Sequence, residues 1–288
     1  MLPVIPQELS DMILDFLHDD VATLCSAGLV CKSWVPTSRF HLFSEVLFSP
    51  WYGTHVFELM RAEYSTVPPY VRSLNISGSS DVNFVRHVDE TIRRLPLLSN
   101  LKTLHLVDIN MTILTLVAKK KLTALLQNLT TLNLYCCKVR NYFSLYLDSF
   151  ATLEQFETVN QAIDFIAAAQ CLEDITLEGV HCSESCNYSS QAIVPPLRRI
   201  MFRTPLDNIM DWICRCHPTP SVRSLEIRRI DKDNEITIIC KFIRHLGSAL
   251  ENLAIACLDS DWIGEIQSKC ISEALLYQSQ FNDFYQMP

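Results

Sequence analysis

The chain has 288 residues, 49% of them apolar and 19% charged, a balance that supports a sizeable core and argues against disorder. Its formal charge of −8, from 24 basic and 32 acidic side chains, argues against affinity built on neutralising phosphates, so no nucleic acid is expected as a partner. The longest apolar runs, "ITIICKFI" and "TILTLVA", are broken by Lys241 and by Lys119 to Lys121. Both fall well short of the ~18 apolar residues of a spanning helix, so no membrane association is expected either.

Residues 5–43 read as three short helices. Leu9, Met12, Ile13, Phe16 and Leu17 recur at helical spacing and make one apolar face, with Pro6 suited to the first turn and Glu8 to its positive end. "HDD" interrupts, and Asp20 is placed to cap a second helix carrying Val21, Leu24 and Cys25. Gly28 loosens the chain before "LVCKSW", and Pro36 is expected to close the last helical piece after Trp34. A module this small cannot cover every apolar side chain it displays, so some are expected to face a second polypeptide.

"IPQELSDMILDFL" followed by "LVCKSW" resembles the F-box, and "SRFHLFSEVLF" is similar to the extended F-box pattern of basidiomycete, and hence fungal, proteins. The family pattern is Pro-x-Glu-Leu, spaced apolar residues and Val-Cys-Lys-x-Trp; the resemblance spans residues 2 to about 48 and departs at Gly28, where a larger residue is commoner. It implies docking onto the Skp-type adaptor of an SCF-type cullin-RING ubiquitin ligase. Carried over by position, the partner contacts are Pro6, Leu9, Ile13, Leu17, Leu24, Val30, Cys31 and Trp34, some of which must also build the module's own core.

Residues 49–70 are expected to act as a connector, stiffened by the proline pair in "STVPPY". From residue 71 a pattern recurs: leucine-like, two variable residues, then apolar, variable, apolar. The instances are "VRSLNI", "LKTLHL", "LTTLNL", "LEQFET", "LEDITL", "LRRIMF", "VRSLEI" and "LENLAI". Their fourth positions, Leu74, Leu104, Leu132, Phe156, Ile175, Ile200, Leu225 and Leu253, are 30, 28, 24, 19, 25, 25 and 28 residues apart, a solenoid period. Each closing triplet has strand alternation. Intervening segments such as "DVNFVRHVDETIRRLP", with Val82, Val85, Val88 and Ile92 on one face, and "DNIMDWICRC", with Asp207 as N-cap before Ile209, Met210 and Ile213, have helical spacing.

This looks like a leucine-rich-repeat array, and the expected architecture is α/β: a three-helix F-box over 1–48, the connector, and an irregular repeat solenoid over 71–288. The family's turn position, usually Asn or Cys, is met only by Cys137; Ile109, Val180, Ile230 and Leu258 stand elsewhere, which favours irregular turns. The two resemblances together imply a non-catalytic substrate-recognition adaptor. It would hold a target through variable strand positions on the concave side, such as Arg72, Lys102, Thr130, Glu173, Arg198, Arg223 and Glu251 or their alternates. The competing reading is a repeat-based binding scaffold outside any ligase, its N-terminal helices capping the array.

Catalytic patterns are sparse. The six glycines form no phosphate-cradling loop, and neither a nucleophile elbow nor His-Glu-x-x-His occurs. Cys182, Cys186, Cys214, Cys216 and His217 are zinc-capable residue types, but they lack paired Cys-x-x-Cys spacing, so neither metal nor cofactor is expected. The 12 cysteines are spread along a chain whose start shows no secretory signal, which points to reduced thiols in the cytoplasm or nucleus. Without such a signal the Asn-x-Ser/Thr sequons at Asn75, Asn110, Asn128 and Asn187 read as chance.

Overall fold

Short helices at the N-terminus give way to a repeating parallel β/α stack. The computed structural model describes residues 5–49, 54–78, 82–111, 113–135, 159–180, 194–203, 207–216, 220–230 and 233–256. The chain divides into two compact units, Met1–Ile109 with Leu114–Leu129, and Asn110–Ile113 with Thr130–Pro288.

In the first unit, helices α1 (Gln7–Phe16), α2 (Val21–Val30) and α3 (Val35–Phe43) precede strand β1 (Glu45–Phe48) and helix α4 (Thr54–Arg61). Strand β2 (Ser73–Ser77), helix α5 (Val82–Arg93), strand β3 (Thr103–Val107) and helix α6 (Leu116–Leu126) follow. Asp20 caps α2 as expected, its carboxylate accepting from the Thr23 N–H at 3.0 Å and the Thr23 hydroxyl at 2.6 Å. Pro36 behaves differently: it sits in the first turn of α3 and opens that helix. Its missing N–H costs nothing there and its fixed φ suits a helix start. Gly28 does not interrupt α2, which runs unbroken to Val30.

Strand β1 was not foreseen. It pairs in parallel with β2, Val46 opposite Leu74 and Phe48 opposite Ile76, so residues 49–70 join two neighbouring strands. "FSEVLF" in fact carries the same pattern as the later repeats, with Val46 and Phe48 as its buried pair. Only Ser44 separates α3 from β1, and its carbonyl accepts from the Arg72 and Ser73 N–H groups at 2.9 and 2.8 Å. The Arg72 guanidinium lies over the Phe40 ring, 5.7 Å from its centroid, and Arg39 bonds the Thr66 hydroxyl. The third helix is thus fastened directly to the first strands.

The second unit contains β4 (Thr131–Tyr135), α7 (Val159–Ala167), β5 (Asp174–Glu178), β6 (Arg199–Phe202), α8 (Asp207–Arg215), β7 (Ser224–Ile227), α9 (Asp233–Leu246) and β8 (Asn252–Ile255). Its strands are parallel and neighbours in chain order. The repeat positions read from sequence lie side by side: Leu74 opposite Leu104 in the first unit, then Leu132, Ile175, Ile200, Leu225 and Leu253 in the second. The unit expected around Phe156 lies outside the described residues. Since β4 and β5 are direct neighbours, the step from Leu132 to Ile175 is a single step of the stack.

Packing explains the pattern. The leading positions Val71, Leu101, Leu129, Leu172, Leu197 and Val222 are buried, as are both apolar members of each triplet from β2 to β7. Each repeat therefore places three apolar side chains in the core, where a fully buried Leu or Ile contributes about 1.5–3 kcal/mol. At the turn position Ile109, Val180 and Ile230 are buried as well. Apolar packing takes the place of the polar ladder, and main-chain bonds such as Arg203 N–H to the Leu177 carbonyl, 3.0 Å, carry the pairing beyond the strand ends.

Helices α5 and α6 are joined by a buried carboxylate. Asp89 on α5 accepts from both the N–H and the hydroxyl of Thr115, at 2.7 and 2.8 Å, and pairs with Arg93 at 3.0 Å. Thr115 caps α6 in turn, accepting from the Ala118 N–H. Close approach fixes Gly78: a Cβ there would stand 2.4 Å from the Asp108 carbonyl oxygen, and Asp108 itself has a positive φ of 53°.

Candidate functional site: an outward apolar helix face

Helix α1 carries apolar residues on two sides. Ser10 and Leu14 turn inward, and Leu14 packs with Leu24 and Ala27, joined at the margin by Leu17, Trp34 and Leu42. A polar edge ties α1 to the α3 side of the module: Gln7 Nε2 donates to the Ser33 carbonyl at 3.1 Å, the Thr37 hydroxyl donates to Asp11, and His41 Nε2 lies 2.8 Å from Asp15 Oδ1. These contacts fix which way the helix is rotated.

The rest of α1 is the unusual part. Leu9, Met12, Ile13 and Phe16 face solvent, 50%, 53%, 49% and 83% exposed. A helix on a globular surface ordinarily presents its charged residues outward; here the broad apolar side is the uncovered one. Ile5, Val21, Leu29 and Val30 in the same module are exposed too.

The residues expected to contact a partner fall into three groups. Pro6, Leu9, Ile13, Val30 and Cys31 are exposed and open to contact. Leu17 and Trp34 are half-buried against the module's core, each keeping an accessible flank. Leu24 is fully buried, so it builds the core that holds the outer face in place and offers nothing to a partner in this conformation. Met12 and Phe16 belong to the exposed stripe although they are not among those expected contacts. The same i, i+3, i+4, i+7 spacing that identified the helix already placed them beside Leu9 and Ile13.

Cysteine chemistry offers little beside this. Cys31 is exposed, and a hydrogen bond with the Ser33 hydroxyl holds its thiol below the usual range. Burial pushes the Cys214 thiol up to about 11 and raises that of Cys216. Cys25, Cys31, Cys171, Cys214 and Cys216 are free thiols. Cys182, Cys186 and His217 lie outside the described residues. Among the described residues no group of three His, Cys, Asp or Glu side chains is placed to hold a metal ion, and no helix is long and apolar enough to cross a membrane.

No protein-family model matches the chain, and no curated protein matches it in sequence.

Proposed function

We propose that the chain is a non-catalytic substrate-recognition adaptor of an SCF-type ubiquitin ligase, docking the Skp-type adaptor protein through residues 5–43 and a target through its strand repeats. The observation that carries this reading is the exposed stripe Leu9, Met12, Ile13 and Phe16, held outward on a helix whose other side is anchored in a core. Covering the exposed part of those four side chains contributes about 4–7 kcal/mol by area bookkeeping, a substantial share of what a stable complex needs after association costs. The chain would act by proximity, holding a target lysine near a ubiquitin-charged enzyme supplied by other subunits.

The attachment of the module supports the same role. Ser44 joins α3 to β1 with no spacer, so a protein bound to α1 has a defined position relative to β1 and β2. The scaffold reading assigns the N-terminal helices to capping the array. That role suits α3, which packs on β1, but leaves the outward side of α1 without a purpose.

Co-purification tests the proposal. Tagged full-length chain, co-expressed with a Skp-type adaptor, is expected to retain it at equal stoichiometry, and a Leu9→Asp, Ile13→Asp variant to lose it while keeping its thermal transition. Equal retention by both forms would refute the docking role of α1.

A further inference from the structure

Helix α6 carries positive charge that nothing around it neutralises. Residues 109–135 hold Lys119, Lys120 and Lys121 and no acidic residue, in a chain whose net charge is −8. Ala118, Leu122, Leu125 and Leu126 form the buried side of α6, so Lys120 falls on its outer side and Lys119 and Lys121 on the two flanks. Among the described residues no carboxylate pairs with any of the three. Helix α5, packed beside α6, carries two acidic residues, and both are already engaged: Asp89 by Thr115 and Arg93, Glu90 by Arg94. Arg86 on the same helix is exposed and has no ion pair among the described residues.

Beside these lysines stand Leu116 and Val117, 67% and 60% exposed. Each lies four residues before a lysine, so Leu116 adjoins Lys120 and Val117 adjoins Lys121 on the helix surface. The methylene stems of the lysines extend the apolar area while their ammonium groups reach water. An apolar centre edged by cations has the layout of a docking patch, in which the centre gives up its water and the edge selects the partner by charge.

We propose that the patch formed by Leu116, Val117, Lys120 and Lys121 docks a short acidic segment of another protein, whose apolar side chains cover Leu116 and Val117 while flanking Asp or Glu residues meet the lysines. The site lies outside α1 to α3, so it stands apart from adaptor docking. Charge names the occupant, since lysines without a carboxylate of their own attract an acidic segment and repel a basic one. Range separates that segment from an anionic membrane. Fields are screened beyond about 8–10 Å, so a short segment senses the lysines beside it. A membrane plane meets a far wider surface, and the net charge of −8 opposes it.

The test uses the full chain without any ligase subunit. A fluorescein-labelled peptide with two leucines between pairs of glutamates is titrated by anisotropy beside its Gln-for-Glu and Ser-for-Leu counterparts. The parent peptide is expected to bind, more weakly as salt rises, and each counterpart at least tenfold more weakly. Lys120→Glu with Lys121→Glu should abolish binding, and Leu116→Ser with Val117→Ser should weaken it at least tenfold, both with unchanged thermal midpoints because these side chains reach the surface. Arg215→Gln with Lys241→Gln removes two cations already paired with Asp211 and should leave binding unchanged. Absence of parent-peptide binding, equal binding of either counterpart, or indifference to the Lys120 and Lys121 substitutions would overturn the proposal. Sedimentation of the chain with phosphatidylserine vesicles, abolished by those same substitutions, would overturn it in favour of a membrane surface.

Discussion

Replacing Asp89 by Ala removes the acceptor that ties α5 to the start of α6. Asp89 is 6% exposed, and its Oδ1 takes two hydrogen bonds from Thr115. Truncation removes two hydrogen bonds to a charged acceptor, a loss of about 1–3 kcal/mol, although Thr115 is itself exposed and water can reach its N–H. Looser placement of Thr115 weakens the α6 cap by about 1 kcal/mol more. The Arg93 pair adds little, because that side chain is 43% exposed and solvent screens it. The expected loss is therefore about 2–4 kcal/mol. It is measured as the shift in urea midpoint at constant slope, beside Thr115→Val and the double variant. If the network acts as a unit, the two single losses exceed the double loss by about 1 kcal/mol or more. A loss for Asp89→Ala below about 0.5 kcal/mol, or simple additivity, would refute the assignment of Asp89 as the tie between these helices.

Two glycines are expected to respond with opposite sign. Gly28→Ala should stabilise by about 0.5–1 kcal/mol, since a methyl group would meet only the Ser38 Cβ at 3.8 Å and helix propensity rises. Gly78→Ala should destabilise by about 1–3 kcal/mol by forcing the Asp108 carbonyl away, and both effects are read from thermal midpoints. Iodoacetamide at pH 7.5, followed by peptide mass spectrometry, should modify Cys31 well before Cys214. The first thiol is exposed with its thiolate favoured, and the second is half-buried with a pKa of about 11. Inserting Gly-Ser-Gly-Gly between Ser44 and Glu45 should let residues 7–43 exchange amide hydrogens independently of β1 to β3, whereas in the unmodified chain the two should protect each other.

Strand register was the most legible feature. A two-residue alternation flips every side chain if shifted by one position, so Leu74 and Leu104 in the first unit, and Leu132, Ile175, Ile200 and Leu225 in the second, had only one way to turn inward. The direction in which Pro36 acts was not legible, because proline both ends and begins helices and only the backbone on either side decides. Strand β1 escaped because Val46 and Phe48 were absorbed into the resemblance of the preceding helices, although their spacing to Leu74 and Ile76 fits the array. At the docking face the sequence supplied the apolar spacing of α1 but not its rotation. That depends on Leu14 packing with Leu24 and on Gln7, Asp11 and Asp15 meeting Ser33, Thr37 and His41, contacts between residues far apart in the chain.

Adaptor docking is tested most directly by calorimetric titration of the full chain with a purified Skp-type adaptor. The account predicts one-to-one binding with a negative heat-capacity change from apolar burial, and at least 100-fold weaker binding for Leu9→Asp with Ile13→Asp. Full-strength binding by that variant, or no heat from the unmodified chain, would contradict it.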